Sequence, residues 1–425
     1  MSTNPQISTD PLTELVEGLA REGRAAQRVL AIMPGAAKAA ALRLAARALR
    51  AAAPRVLAAN AIDVAAGEKA GLTGAMLDRL KLDEARLAAI ADAVEQVAAL
   101  PDPVGQVIDT STPPNGLVLS RVRIPIGLIG IIYESRPNVT ADAAALCVRS
   151  GNATILRGGS EAVNSNRAIH AALVEGLEQG GIPRQAVQLM PTQDRAAVGA
   201  MLAAAGLIDM IVPRGGKSLV ARVQADARVP VLAHLDGICH TYVHHAADRA
   251  KAQAIALNAK MRRTGICGAM ETLLIDATYP DPHGLVAPLL DAGCELRGDS
   301  RAQAIDPRIA PAAANDWDTE YLDAILSVAV VDGLDAAMEH IALHSSGHTD
   351  AIMTEDQAVA DRFLAEVDSA IVMHNASTQF ADGGEFGLGA EIGIATGRLH
   401  ARGPVALEGL TTYKWVARGT GQVRA

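Results

Sequence analysis

The segment Arg262-Arg263-Thr264-Gly265-Ile266-Cys267-Gly268-Ala269-Met270 gathers more chemistry than any other stretch of the chain. One cysteine stands among small residues, after two arginines and ahead of the apolar run Leu273-Leu274-Ile275, which reads as a strand. The thiolate is the attacking form of cysteine, and neighbouring cations lower a thiol's pKa towards the reactive range. Small neighbours leave room for an acyl group and free backbone N–H groups to meet a developing oxyanion. The alternative is a buried cysteine that packs as a small hydrophobe, as most free cysteines do. Local chemistry alone leaves both readings open.

Histidines form a second set. His340, His344 and His348 recur at i, i+4 and i+8, and His234 lies near Asp236, His240, His244 and His245. Two histidines one helical turn apart can bind zinc. However, Ser345-Ser346-Gly347 is expected to end the helix before His348, and no HExxH or carboxylate–histidine set accompanies the pair. Substrate contact or helix capping is therefore expected, and no metal. Two further turns, Arg157-Gly158-Gly159-Ser160 and Arg214-Gly215-Gly216-Lys217-Ser218, each follow a strand and open a helix. They either offer N–H groups and a cation to a phosphate or are ordinary strand-to-helix turns. Neither has the GxGxxG or Walker form.

The elements that must hold these residues follow from periodicity. Residues 11–100 read as almost wholly helical, with Leu80, Leu87, Ile90, Val94 and Val97 on one stripe before Leu100-Pro101-Asp102-Pro103 stops the helix. Val122 and Ile124 alternate with Arg121 and Arg123, as in a half-exposed strand, whereas 127–132 is apolar on both faces. Strands at 153–156, 187–190 and 208–212 then alternate with helices at 161–177, near 194–205 and after 218. A second α/β region begins near 240, with strands at 270–275, 325–331, 351–354 and 370–374, and loops with short helices at 281–318. Such alternation predicts doubly wound parallel sheets, which bind ligands at the carboxyl ends of their strands.

Composition bounds the function. The 425 residues suffice for two or three domains, and a 50% hydrophobic content built on alanine and aliphatics argues against disorder. A net charge of -9 offers no basis for nucleic-acid binding. The longest apolar stretch, 126–133, is too short to span a bilayer. No signal peptide is expected at Met1–Pro5, and four widely spaced cysteines without a CxxC pair suit a reduced, cytoplasmic protein.

Several long motifs appear in order. Val331–Ile352 carries His340, His344, Ser345, Ser346, His348, Thr349 and Asp350; Tyr133–Thr140, His234–His240 and Leu399–Pro404 accompany it. With these motifs the chain resembles the gamma-glutamyl phosphate reductase (glutamate-5-semialdehyde dehydrogenase) family, the proline-biosynthetic branch of the aldehyde dehydrogenase superfamily. The resemblance implies an aldehyde dehydrogenase-like α/β fold with two doubly wound parallel-sheet domains. It places a cofactor-binding domain at 1–105 and 124–236, a catalytic domain at 237–395, and a β-hairpin and C-terminal oligomerisation element at 106–123 and 396–425.

Roles follow from the resemblance one position at a time. Cys267 matches the nucleophile, and Asn138 the amide that completes the oxyanion hole. Arg157 takes the place of the lysine over the adenosine ribose, and Ser160 that of a glutamate common in NAD-preferring relatives, so NADPH is expected rather than NAD, although Glu161 stands next door. Gly215 is expected at the cofactor, and Glu320 aligns with the glutamate that holds the nicotinamide ribose. The glutamate of hydrolytic relatives, in a Glu-Leu-Gly-Gly motif, is absent where His234-Leu235-Asp236-Gly237 stands; a slipped alignment would leave Asp236 as an unassigned base. Arg136 and His348, with Arg262 and Arg263, are candidates for gripping the substrate, L-glutamyl 5-phosphate. A homo-oligomer and a glutamate kinase partner are also expected. The rival reading is a hydrolytic aldehyde dehydrogenase of the same fold acting on another small aldehyde.

Overall fold

The computed structural model describes residues 10–424; Met1–Pro5 lies outside them. The described chain divides into two compact units. The first runs to Leu232 and takes in Leu388–Gly393 and the chain from Val405 onward, and the second comprises Ala233–Gly387 with Ile394–Pro404.

In the first unit, helices occupy Pro11–Ile32, Gly35–Ala51, Ala53–Lys69, Gly74–Leu80 and Glu84–Ala99. The apolar stripe is buried, but Leu80 belongs to the preceding helix. Asp83 separates the two, its carboxylate accepting from the Arg86 N–H at 2.7 Å and so capping the helix that carries Leu87 to Val97. Four parallel strands lie in the order Val187–Leu189, Ala153–Gly158, Leu128–Tyr133, Met210–Arg214. Leu128–Tyr133 is buried along its whole length, which is why its sequence shows no alternation. Gly176 lets two covering helices touch, since an added Cβ would strike the Ala45 backbone.

The arginines at 121 and 123 sit in Val118–Pro125, the middle strand of a three-stranded antiparallel sheet between Val107–Ser111 and Thr411–Arg418. Arg121 pairs with Asp109 and lies 5.2 and 5.8 Å from the ring centroids of Tyr413 and Trp415.

The second unit holds seven parallel strands in the order Ala310–Pro311, Glu295–Gly298, Ile325–Val331, Met270–Asp276, Cys239–Val243, Thr349–Met353, Ile371–His374. The two strands within 281–318 correct the expectation of loops and short helices there. Ala310–Pro311 is the two-residue edge strand and Glu295–Gly298 the four-residue strand inside it; the ladder of the latter to the distant Ile325–Val331 supplies what local composition does not signal. Met270–Asp276, which follows the cysteine turn, is central and buried throughout. No helix among the described residues is long and apolar enough to cross a membrane.

Candidate active site

Cys267 lies in the turn between helix Arg249–Met261 and strand Met270–Asp276, in the second unit. Asp248 starts the helix by accepting from the Lys251 N–H at 2.9 Å, and the Ala269 N–H donates to the Ile266 carbonyl at 3.0 Å to close the turn. Two other segments clamp it. Gly237 lies against the Cys267 backbone: an added Cβ would stand 2.6 Å from the Cys267 Cα and closer still to its carbonyl oxygen. The Cys239 thiol donates to that carbonyl at 3.1 Å, and burial pushes its pKa well up, so it stays a neutral donor. Gln379 donates from Nε2 to the carbonyls of Ala259 and Arg263 at 2.9 and 3.0 Å. The Cys267 side chain itself is half-buried, within reach of solvent.

Two imidazoles flank the thiol. His234, Cys267 and His348 each bring a ligand-type atom to within 4.8 Å of the others. His348 is fully buried; its Nδ1 lies 2.8 Å from Thr349 Oγ1, and its Nε2 has no hydrogen-bond partner. Burial, helped by the neighbouring His234, pushes His348 down to about 3, so its ring is neutral at ordinary pH. His340 and His344 go elsewhere. Their helix ends at His344, as expected from Ser345-Ser346-Gly347; His340 stands edge-on to Trp317 at 5.3 Å and His344 Nδ1 lies 2.8 Å from Asp318.

The long histidine-bearing motif has a structural centre in Asp350. Its buried carboxylate accepts from the His240 N–H at 2.8 Å, from Ser345 Oγ at 2.7 Å and from Ser369 Oγ. Glu320 also touches the clamp, its Oε1 accepting from the Gly237 N–H at 3.0 Å. Beneath the turn, Lys260 and Glu271 form a buried ion pair at 2.5 Å, and burial raises the Glu271 pKa to about 7 against the pull of Lys260. Arg262 and Arg263 are exposed, and Arg262 Nη1 lies 3.4 Å from Gln379 Oε1.

The remaining expected residues belong to the first unit. Asn138 precedes helix Val139–Arg149 and donates from Nδ2 to Asp142 Oδ2 at 2.8 Å. Burial raises the Asp142 pKa to about 6, and the Asn138 amide works against that rise. Arg136 is half-buried in the loop before the same helix. The Arg157 guanidinium is 8% exposed and donates to the carbonyls of Gly158 and Gln193 at 2.9 and 3.1 Å. Ser160 is exposed, whereas the Glu161 carboxylate is turned to the N–H and hydroxyl of Ser135 at 2.5 and 3.0 Å. At Gly215 an added Cβ would stand 2.5 Å from Glu134 Oε2, which accepts from the Gly216 N–H at 3.2 Å.

Sequence reasoning missed Cys239, Gln379, Asp142 and Glu134, and did not bring His234 to the thiol. Asp142 carried a signal, since it stands four residues after Asn138 on a helix face. Gln379 and Glu134 carried none, because only the folded chain brings them to the turns they hold.

Residues 12–303 match the Aldehyde dehydrogenase family. The chain is 79% identical over 424 residues to the gamma-glutamyl phosphate reductase of Novosphingobium aromaticivorans, covering 100% of both. It is 62% identical over 424 residues to that of Zymomonas mobilis, covering 99% of each. The crystal structure of gamma-glutamyl phosphate reductase from Thermotoga maritima matches with a TM-score of 0.94 at 43% identity, over 97% of this chain and 100% of that one. An acetylating aldehyde dehydrogenase from Geobacillus thermoglucosidasius, with a TM-score of 0.69 and 18% identity over 97% of this chain and 98% of its own, shares the fold. The expected aldehyde dehydrogenase-like α/β class is thereby borne out, and the chain belongs to the gamma-glutamyl phosphate reductases of the aldehyde dehydrogenase family, a family of oxidoreductases.

Proposed function

We propose that this chain reduces L-glutamyl 5-phosphate to L-glutamate 5-semialdehyde and phosphate, with NADPH as the reductant, as the second step of proline biosynthesis from glutamate. The observation that carries the reading is the clamped, half-buried Cys267 beside two imidazoles, in a chain 79% identical to a relative of that name. The Cys267 thiolate attacks the acyl carbon; a C–S bond forms, the C–O bond to phosphate breaks, and phosphate leaves. Of the two imidazoles, His234, whose Nδ1 gives its hydrogen to the Ile394 carbonyl, is the one suited to take the thiol's proton as attack begins, since His348 resists protonation. We assign the oxyanion donors to the Cys267 backbone N–H and the Asn138 amide, whose rotamer Asp142 holds.

A nicotinamide cofactor, when bound, supplies the hydride that converts the thioacyl group to the semialdehyde. The first unit suits such a group. Its parallel sheet feeds Gly215 and Gly216 into helix Lys217–Asp226, and the Gly216 N–H already takes a carboxylate, so this turn accepts anions. Two observations favour a cofactor with a 2'-phosphate: Ser160 presents no carboxylate, and Glu161 is held by Ser135. Arg157 serves backbone carbonyls, and we assign it a positive potential at this turn rather than a free grip. Glu320 is assigned to the nicotinamide ribose on the resemblance. Arg136 and the exposed Arg262 and Arg263 are assigned to the anionic ends of the substrate; His348 is assigned to the thiol.

Against the hydrolytic alternative stands the segment His234–Gly237, which has no glutamate; the packing of Gly237 on Cys267 supports this register. A water left unactivated spares the thioester for phosphate or hydride. We further propose a homo-oligomer built through the antiparallel sheet, whose Val107 and Trp415 are 58% and 59% exposed. The compartment proposed is the cytoplasm, in keeping with four free cysteines. A glutamate kinase partner would shorten the path of a labile acyl phosphate.

The reverse reaction tests the reading: pyrroline-5-carboxylate and NADP⁺, with and without phosphate, followed as NADPH absorbance. Phosphate-dependent NADPH formation that disappears in Cys267→Ala supports it. Phosphate-independent turnover identifies a hydrolytic dehydrogenase instead.

A further inference from the structure

The three groups around the thiol have the donor set of a soft-metal site. We propose that His234, His348 and Cys267 bind one zinc ion, and that its binding switches the enzyme off by taking the thiolate as a ligand.

His348 supplies the first argument. Its ring is fully buried, and Nδ1 is engaged by Thr349 Oγ1 at 2.8 Å. With the Nδ1 hydrogen given to that oxygen, the lone pair sits on Nε2, the buried atom with no hydrogen-bond partner. A buried nitrogen without a partner keeps an uncompensated desolvation cost, and a metal bond removes it.

His234 supplies the second. Its Nδ1 lies 2.8 Å from the Ile394 carbonyl oxygen, which only accepts, so Nδ1 carries the hydrogen and Nε2 the lone pair. Metal-binding histidines show the same arrangement, with the far N–H given to a backbone carbonyl. The two rings stand nearly perpendicular, at 80° with centroids 5.0 Å apart, an edge-on rather than a stacked contact.

Cys267 completes the set. The three ligand-type atoms already lie within 4.8 Å of one another. Tetrahedral zinc, with bonds of about 2.0–2.3 Å, needs separations of roughly 3.5 Å, so small side-chain rotations suffice. The half-buried thiol opens the site to solvent, and binding exchanges its proton for the metal: the S–H bond breaks, a Zn–S bond forms and one proton leaves. Two nitrogens and a sulfur, with no carboxylate, favour zinc over magnesium or calcium. The other histidine-rich group, His244, His245 and Asp276, is less open. Asp276 already accepts from Tyr242 at 2.7 Å and from the Thr278 N–H and hydroxyl at 2.8 and 2.6 Å.

Zinc binding stands on geometry alone, whereas its inhibitory effect rests on the reading of Cys267 as nucleophile. The test therefore measures both on the full chain. Cobalt(II) replaces zinc as a spectroscopic probe, zinc affinity is measured by competition with a chromophoric chelator, and the reverse reaction is assayed with zinc and again after EDTA. Expected are a thiolate-to-cobalt charge-transfer band absent in Cys267→Ser, and loss of activity at one equivalent of zinc that EDTA restores. Zinc affinity should fall at least about 10–100-fold in both His348→Ala and His234→Gln, the loss that even an outer-shell change produces, with no change in His244→Ala. A cobalt spectrum without the thiolate band, or zinc affinity unchanged in both histidine variants, overturns the site. A thiolate band in a protein whose Cys267→Ala variant keeps full activity leaves the site standing and overturns the catalytic reading.

Discussion

The turn that carries Cys267 and the turn that opens at Gly215 both join a helix to a strand, yet they are held in opposite ways. Around Cys267 the grip is backbone, thiol and amide: Gly237 beneath, Cys239 and Gln379 on the carbonyls. At Gly215 the grip is a carboxylate, Glu134, resting on a helix N-terminus. Neutral, short-range contacts fix a position, which suits the nucleophile proposed at Cys267; an anion on a helix end is exchangeable for another anion, which suits the cofactor turn proposed at Gly215.

The comparison breaks first at the proposed nucleophile. Cys267→Ala should leave essentially no phosphate-dependent turnover while keeping the thermal midpoint near that of the wild type, since a half-buried thiol contributes little packing. Next comes the proposed donor pair. Asn138→Ala should lower turnover about 10²–10³-fold. Asp142→Ala should give a smaller loss of the same kind, in kcat more than KM, because it leaves the amide present but unheld. Gly237→Ala sharpens the contrast with Gly215. It drives a methyl group into the Cys267 backbone, so about 1–3 kcal/mol of stability should be lost in denaturant titration. Displacement of the thiol by about 1 Å costs up to about 10²-fold in rate. At the exchangeable turn effects should be modest: Ser160→Glu should shift the NADP⁺-to-NAD⁺ preference only several-fold, in line with one partly exposed charge contact of up to about 1 kcal/mol.

The smallest expected effect is an acid limb in stability. His340 and His348 are each held neutral down to about pH 3 by burial and neighbouring rings. The unfolded chain takes up these protons below about 6.5, where the native state refuses them, so stability is full above that pH and falls as pH drops towards 3. In denaturant midpoints measured across this window, His340→Leu should flatten the slope; an unchanged slope would show that the ring titrates normally.

Much of this is legible in the sequence. The buried strand at 128–133, the alternation of strands and helices, the helix stop before His348 and the singular cysteine all follow from patterns within about ten residues. What escaped depended on distance along the chain. The strand Glu295–Gly298 is made by a ladder to the remote Ile325–Val331, and the edge strand Ala310–Pro311 pairs with Glu295–Gly298 in turn. Gln379 reaches the cysteine turn from another segment, and His234 and His348 meet only because the strands starting at Cys239 and Thr349 are neighbours. Charge misled as well: the arginines beside Cys267 in sequence are exposed, while the groups that crowd the thiol are two imidazoles.

The packing of Gly237 on the Cys267 backbone has a consequence for redesign. Because main chain lies against main chain, the contact admits no side chain at 237 and is sensitive to the length of either segment. One residue inserted into either segment would slide it by up to about 3.8 Å along its partner, a displacement no local repacking absorbs. Attempts to retune this enzyme for other acyl groups therefore have side-chain substitutions around the thiol at their disposal, and loop grafting only where both segments are transplanted together.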